Sequence, residues 1–376
     1  MAEIIPMNQV KNITVLGLMS GTSMDGLDLC LAEISITENY SFNYNILKSV
    51  FEPFNAKTKS IIENAVKGEN IKTAHTQLGK LFSELCIKHF DSENIDAIAM
   101  HGQTIAHDDG VMTQQIGDPQ FLVNTFLIPV IYNFRQADID AGGNGAPLMP
   151  FLDWLLFNNS THDKIILNIG GIANFTHIPP HSKKEDVIGF DTGPGMALID
   201  EFCMLQWNET CDWNGKFSST GKTIEPLLDK LMSHPFLKKE YPKSTGRHEF
   251  GQEYVQKIVD GWGNHPPENI LRTFVRFTAK SIWENISKLR NLTPENLALI
   301  VSGGGVHHPI IMEDLKKYTQ LMVINSAQMD INPDTKEALL MAVLGACRLK
   351  NITANMPSVT GAKSNVILGN IYQGKA

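Results

Sequence analysis

Three glycine-rich stretches hold the residues best suited to chemistry on a phosphorylated ligand. In the first, residues 20–26 (SGTSMDG), the hydroxyls of Ser20, Thr22 and Ser23 and the carboxylate of Asp25 lie among glycines. A polyphosphate needs close approach of the backbone, donors aimed at its oxygens and a cation to neutralise charge. Gly21 and Gly26 would allow the approach, the hydroxyls would donate, and Asp25 would hold Mg²⁺ directly or through water. A hairpin turn whose Asp and Ser bond their own backbone explains the same residues equally well. In the second stretch, DTGPG, Asp191 closes a strand just ahead of a helix N-terminus, a place that favours anions. A lone solvated acid is the plainer alternative there. The third, SGGG at 302–305, has too little side chain for catalysis. It suits a ring or ribose lying on the backbone, and a tight strand–helix junction suits it as well. No GxxxxGK[ST] occurs, nor a GxGxxG after the first strand, which argues against P-loop and Rossmann sites. Three glycine turns after strands, two of them with an aspartate, point to a nucleotide clamped between two halves.

Other candidates carry weaker signals. His101 and His107, or His307 and His308, have the look of metal ligands, but HGQT follows the apolar run 95–100, so His101 is expected to end a strand, and His307 and His308 open a helix after SGGG; Cys203 and Cys211 lack partners at zinc spacing. Lys243 and Arg247 in KSTGR would bind an anion or simply be solvated. Glu337 is either a first-turn acid on an apolar helix or a ligand contact.

The elements that position these residues follow from patterning. Residues 13–34 are two apolar runs around the first turn, and residues 164–178 repeat that plan around Gly170 and Gly171. Residues 186–207 read as a strand running into a helix, with Pro194 at its first position, where a missing N–H is harmless. Residues 296–318 repeat strand, glycine turn and helix, and residues 336–348 form an apolar helix. Two related α/β halves are expected. The glycines and Pro147 of 132–148 mark the boundary, giving domains 1–143 and 144–349, with 350–376 packing back on the first.

A chain of 376 residues is long enough for two cores. A net charge of −8 without a basic block argues against nucleic-acid partners, and no apolar run is long enough to span a bilayer. The N-terminus lacks a signal pattern, and the 5 cysteines form no CxxC pair, which suits a reducing cytoplasm.

The chain resembles the anhydro-N-acetylmuramic acid kinases, within the actin, Hsp70 and sugar-kinase superfamily. The resemblance rests on GLMSGTSMDGLD (17–28), HGQT (101–104), QIGD (115–118), NFRQADIDAGGNGAPL (133–148), LNIGGIAN (167–174), FDTGPG (190–195), KSTGR (243–247), SGGG (302–305) and PSVTGA (357–362). It implies a two-domain actin-like (ribonuclease H-like) α/β sugar-kinase fold with an ATP cleft between the lobes. The implied reaction uses ATP, Mg²⁺ and water to turn 1,6-anhydro-N-acetylmuramic acid into N-acetylmuramic acid 6-phosphate in peptidoglycan recycling, and the implied assembly is a homodimer. By the same resemblance Gly21, Thr22, Ser23, Met24, Asp25, Gly26, Leu27 and Asp28 form the ATP-phosphate loop. Gly170, Gly171, Gly193, Gly303, Gly304 and Gly305 complete the nucleotide site. Asp191 is the catalytic base, Arg135 and Glu337 neighbour the sugar, and His101, Gln103, Thr104 and Asn174 contact it. Asn133 and Asn144 depart from the family's usual Asp and Gln, which bears on the orientation of Arg135 and on sugar choice.

Overall fold

The computed structural model describes residues 12–21, 24–289, 297–329 and 332–373. The hairpin expected at the N-terminus is formed by β1 (Ile13–Ser20) and β2 (Gly26–Ile36), with Gly17 opposite Cys30. β3 (Phe42–Pro53) adds antiparallel to β2. Its strict alternation of half-buried and exposed residues is what a sheet edge with one wet face requires. β4 (Ala97–Asp108) lies parallel to β1 on the other side, followed by β6 (Val130–Tyr132), while β5 (Met112–Ile116) folds back on the far half of β4. The C-terminal strand Asn370–Tyr372 pairs with β6 and closes the order Asn370–Tyr372, β6, β4, β1, β2, β3.

One face of this sheet buries Leu16, Leu18, Leu29 and Leu31 against Phe82 and Phe90 of the helix Ile71–Phe90. The other face receives the helix Lys336–Leu349, most of whose residues are buried. Two glycines let that helix sit directly on the strands. A Cβ on Gly17 would lie 2.0 Å from the Ala338 carbonyl, and one on Gly345 would lie 2.7 Å from Ala99 Cβ.

The second sheet repeats the plan. β7 (Lys164–Ile169) and β8 (Ile172–Ile178) form a hairpin, β9 (Ile188–Pro194) adds to β8, and β10 (Ala298–Ser302) and β11 (Met322–Asn325) follow in parallel on the other side of β7. The order β11, β10, β7, β8, β9 matches β6, β4, β1, β2, β3 in both sequence of strands and direction. This is the ribonuclease H-like arrangement, present twice. Its core gathers Phe175, Phe190, Phe202, Phe236, Phe250, Phe274 and Phe277 with the apolar face of the helix Pro267–Ile286.

The chain divides into one unit ending at Leu156 and resuming at Thr335, and a second from Phe157 to Asp334. The expected boundaries at 143/144 and 349/350 therefore shift. The helix Met149–Phe157 and the helix Lys336–Leu349 both fall in or at the end of the first unit, the latter because Gly17 and Gly345 dock it on β1 and β4. Pro194 is not a first helical residue. It ends β9, and the helix begins at Ala197.

Candidate active site

In the first unit the β1–β2 turn is held from below by a side chain. Gln103, fully buried on β4, accepts a hydrogen bond from Ser20 Oγ at 2.6 Å and donates from Nε2 to the Gly21 carbonyl at 3.0 Å. The Gly21 carbonyl also accepts from the Met24 N–H, and Met24 adopts φ +56°. Gln103 thus supports the turn instead of facing a sugar as expected. Leu27 is buried in the core, and Gly26 is dictated by β3, because a Cβ there would lie 2.5 Å from the Glu52 carbonyl. Neither needs a phosphate to explain it. Thr22 and Ser23 lie outside the described residues. Asp28 stands on β2 opposite Met19, half-buried.

His101 is interior to β4 and does not end it, since the strand runs on to Asp108. It is almost fully buried. Its Nε2 accepts from Arg135 Nε at 3.1 Å, so the ring proton sits on Nδ1, which donates to the Gly102 carbonyl at 2.7 Å. Burial, then the neighbouring Arg135 charge, pushes the imidazole pKa down to about 3, and the ring is a neutral acceptor. Arg135 also donates from Nη1 to the Gly145 carbonyl at 2.9 Å. Burial lowers its pKa to about 10, against the opposing field of Glu337, and it stays charged at neutral pH. Burial raises the pKa of Glu337; Arg135 pulls it down and Asp25 pushes it up. Asp25, Arg135 and Glu337 therefore share one electrostatic neighbourhood. Thr104 is not part of it, and its hydroxyl accepts from Gln115 of β5 at 3.3 Å.

In the second unit Asp191 lies within β9 and does not close it. A bulge there sets Asn174 opposite Asp191 and Ala173 opposite Gly193, leaving Thr192 as the extra residue. Bulges re-aim side chains, and this one is braced on every side. Thr192 Oγ1 donates to the Ala173 carbonyl, Asn285 Nδ2 donates to the Thr192 carbonyl, and Thr278 Oγ1 donates to the Pro194 and Gly195 carbonyls. The segment KSTGR wraps the acid itself. The Asp191 N–H donates to the Lys243 carbonyl at 3.1 Å, and Asp191 Oδ2 accepts the Thr245 N–H at 2.9 Å. Lys243 is neither solvated nor placed for an anion. It is buried over the Phe236 and Phe190 rings, which lowers its pKa to about 8. Arg247 is paired with Glu201 at 2.6 Å, close to Gly171.

The glycines of this unit separate into two groups. A Cβ on Gly195 would lie 2.1 Å from the Gly170 carbonyl, one on Gly303 (φ +80°) 2.5 Å from Asn168 Oδ1, and one on Gly305 2.3 Å from Ile169 Cγ2. Gly193 has φ +145°. Packing or backbone conformation demands all four. A Cβ on Gly304 would meet nothing within 4 Å, and on Gly170 and Gly171 nothing nearer than 3.6 Å. Only Gly304 faces open space, while a Cβ on Gly170 or Gly171 would make ordinary contact with the Ile172 carbonyl or the Arg247 guanidinium.

The family model for anhydro-N-acetylmuramic acid kinase matches residues 13–374. The chain belongs to that family. Among anhydro-N-acetylmuramic acid kinases, the protein of Bacillus cereus (strain ZK / E33L) is 36% identical over 376 residues, covering 95% of this chain and 98% of its own. That of Clostridioides difficile (strain 630) is 38% identical over 374 residues, covering 94% and 97%. Solved structures give a looser likeness: the activator of 2-hydroxyisocaproyl-CoA dehydratase from Clostridium difficile, with bound ADPNP, has a TM-score of 0.42 at 11% identity, covering 88% of this chain and 93% of its own.

Two features of this kinase chain escape a reading of sequence alone. Asp138 is a fully buried acid taking three hydrogen bonds, yet nothing in its spacing distinguishes it from Asp140. His308 is buried and structural. Its Nδ1 accepts the Ile311 N–H, leaving Nε2 to donate to Asp212 at 3.2 Å. Among the described residues no group of His, Cys, Asp and Glu forms a metal cluster.

Proposed function

We propose that this kinase uses ATP and water to open the anhydro bridge of 1,6-anhydro-N-acetylmuramic acid and phosphorylate O6, with Asp191 as general base. One observation carries the assignment: Asp191 sits on a braced bulge beside Asn174, with Oδ2 fixed by the Thr245 N–H. A carboxylate so oriented takes the proton of a water that attacks the anomeric carbon. The C1–O6 bond breaks as O6 receives the γ-phosphoryl group, giving N-acetylmuramic acid 6-phosphate and ADP. A positioned base is worth about 10²–10⁴-fold, and the rest comes from alignment and charge stabilisation.

Arg135 supplies fixed positive charge, since its donors to His101 and Gly145 hold the guanidinium in one orientation. A neutral His101 serves this purpose, whereas a protonated one would repel it. Glu337 lies in the same field and, with Asn174, is assigned to the sugar. The β1–β2 turn, through Gly21, Met24 and Asp25, and the glycines Gly170, Gly171 and Gly304 are assigned to ATP. Asp25 is an exposed carboxylate beside the β1–β2 turn, and Mg²⁺ commonly takes one or two carboxylates together with phosphates. Bound there, Mg²⁺ would neutralise phosphate charge, with Asp25 as its protein ligand. A cytoplasmic homodimer completes the proposal, the location supported by 5 cysteines that form no disulfide.

The test is ATP consumption with and without the anhydro sugar. Strict dependence on the sugar, with phosphate found on it, is expected. Equal ATP hydrolysis in both conditions would indicate a nucleotide-switched binding module instead, and turnover of an ordinary hexose in preference would change the substrate.

A further inference from the structure

Resting on that function, we infer that Asp138 is a positioning residue through which the C-terminal segment carrying PSVTGA fixes the orientation of Arg135. Asp138 has no exposed surface, and its carboxylate takes donors from two parts of the chain. Oδ1 accepts from Asn355 Nδ2 at 2.9 Å and from Thr360 Oγ1 at 2.8 Å, and Oδ2 accepts from the Gly145 N–H at 2.9 Å. The carbonyl of Gly145 is the acceptor for Arg135 Nη1. The connection is continuous: Thr360 and Asn355 hold Asp138, Asp138 holds Gly145, and Gly145 with His101 holds the guanidinium.

The loop is built around this acid. A Cβ on Gly143 would lie 2.3 Å from Asp138 Oδ2, and Gly145 has φ +74°. The C-terminal segment is tied in a second time, because the Asn144 N–H donates to the Thr360 carbonyl and the Lys363 N–H to the Ala141 carbonyl. A buried carboxylate is costly unless its oxygens are satisfied, so removing one donor leaves the rest of the set to readjust. The Gly145 carbonyl would move with it. Displacements near 1 Å at an orienting group cost up to about 10²-fold in rate.

Thr360→Val removes one donor and spares the loop contacts of Gly143. It is expected to lower kcat/KM for the anhydro sugar by about 5- to 20-fold, with KM for ATP within about twofold. If the effect runs through Arg135, it shrinks to less than about twofold in an Arg135→Lys background. The same loss in both backgrounds would overturn the inference. A second readout needs no activity: the Arg135 Nε–H resonance in ¹⁵N–¹H spectra should shift in Thr360→Val and further in Asp138→Asn. An unmoved resonance in Thr360→Val overturns the inference even where Asp138→Asn does not fold. An inactive wild-type enzyme would count against the proposed function, and the resonance would still decide the positioning.

Discussion

The two hairpin turns occupy equivalent places in equivalent sheets, yet they are held by different means. The β1–β2 turn takes its support from outside through a side chain, Gln103 of the neighbouring parallel strand, bonded to Ser20 Oγ and the Gly21 carbonyl. The β7–β8 turn rests on backbone, its Gly170 and Gly171 carbonyls accepting the Met196 and Ala197 N–H groups at the start of the helix Ala197–Trp207. A grip made by a side chain is lost with a single substitution. A grip made by main chain is lost only when something intrudes between the strands. The first turn is decorated with polar side chains and suits a cation and phosphates. The second is stripped to glycine and offers only main chain. One fold, used twice, thus offers two kinds of surface.

The sharpest way to break this division is to move the proton-taking role out of the second unit. Asp191→Asn should lower kcat by about 10²–10⁴-fold while leaving ATP affinity, read by calorimetry, within about twofold. Near-normal turnover would remove the second unit's claim to the chemistry. Gly195→Ala tests the backbone grip: its Cβ would meet the Gly170 carbonyl at 2.1 Å, so a loss of about 2–3 kcal/mol in urea unfolding is expected. Gly304→Ala is the control, with stability within about 0.5 kcal/mol of wild type but weaker ATP binding. If Gly304→Ala binds ATP normally, Gly304 does not face the nucleotide. Gln103→Leu tests the side-chain grip by removing two bonds while Ser20 Oγ keeps the Gly26 carbonyl and the Gly21 carbonyl keeps the Met24 N–H. It should cost about 0.5–1.5 kcal/mol and weaken ATP binding, with KM for the sugar little changed.

The smallest effect concerns pH. The pKa of His101 falls from its ordinary 6.5 to about 3 on folding, so the unfolded chain binds a proton that the folded one refuses. Both forms are neutral above 6.5, and the full stability is present there. As pH drops from 6.5 toward 3, stability is lost by at most about 1.4 kcal/mol per pH unit from this group. Denaturant titrations at pH 7 and 5.5 should show that slope, and His101→Gln should flatten it.

Strand-and-turn punctuation carried most of the fold. SGTSMDG and IGGIAN were recognisable as hairpin turns because apolar runs flank them, and the helix at 336–348 from its apolar composition. Its docking partner was not recognisable, since an apolar helix fits either sheet. The signal was Gly17, a glycine inside a strand, which marks close approach of another backbone. The position of Asp191 inside β9 escaped because a bulge leaves no trace in period-two alternation. Gln103 and Asp138 escaped for a different reason: what they do depends on residues far along the chain, Ser20 for one and Thr360 for the other.

The central claim is that water activated at residue 191 ends on the sugar while O6 takes the phosphoryl group. Turnover in ¹⁸O-labelled water, followed by mass spectrometry of the product, tests it directly. The label should appear in the anomeric hydroxyl of a sugar phosphorylated on O6. Label in the phosphate, or an unlabelled sugar, would contradict it.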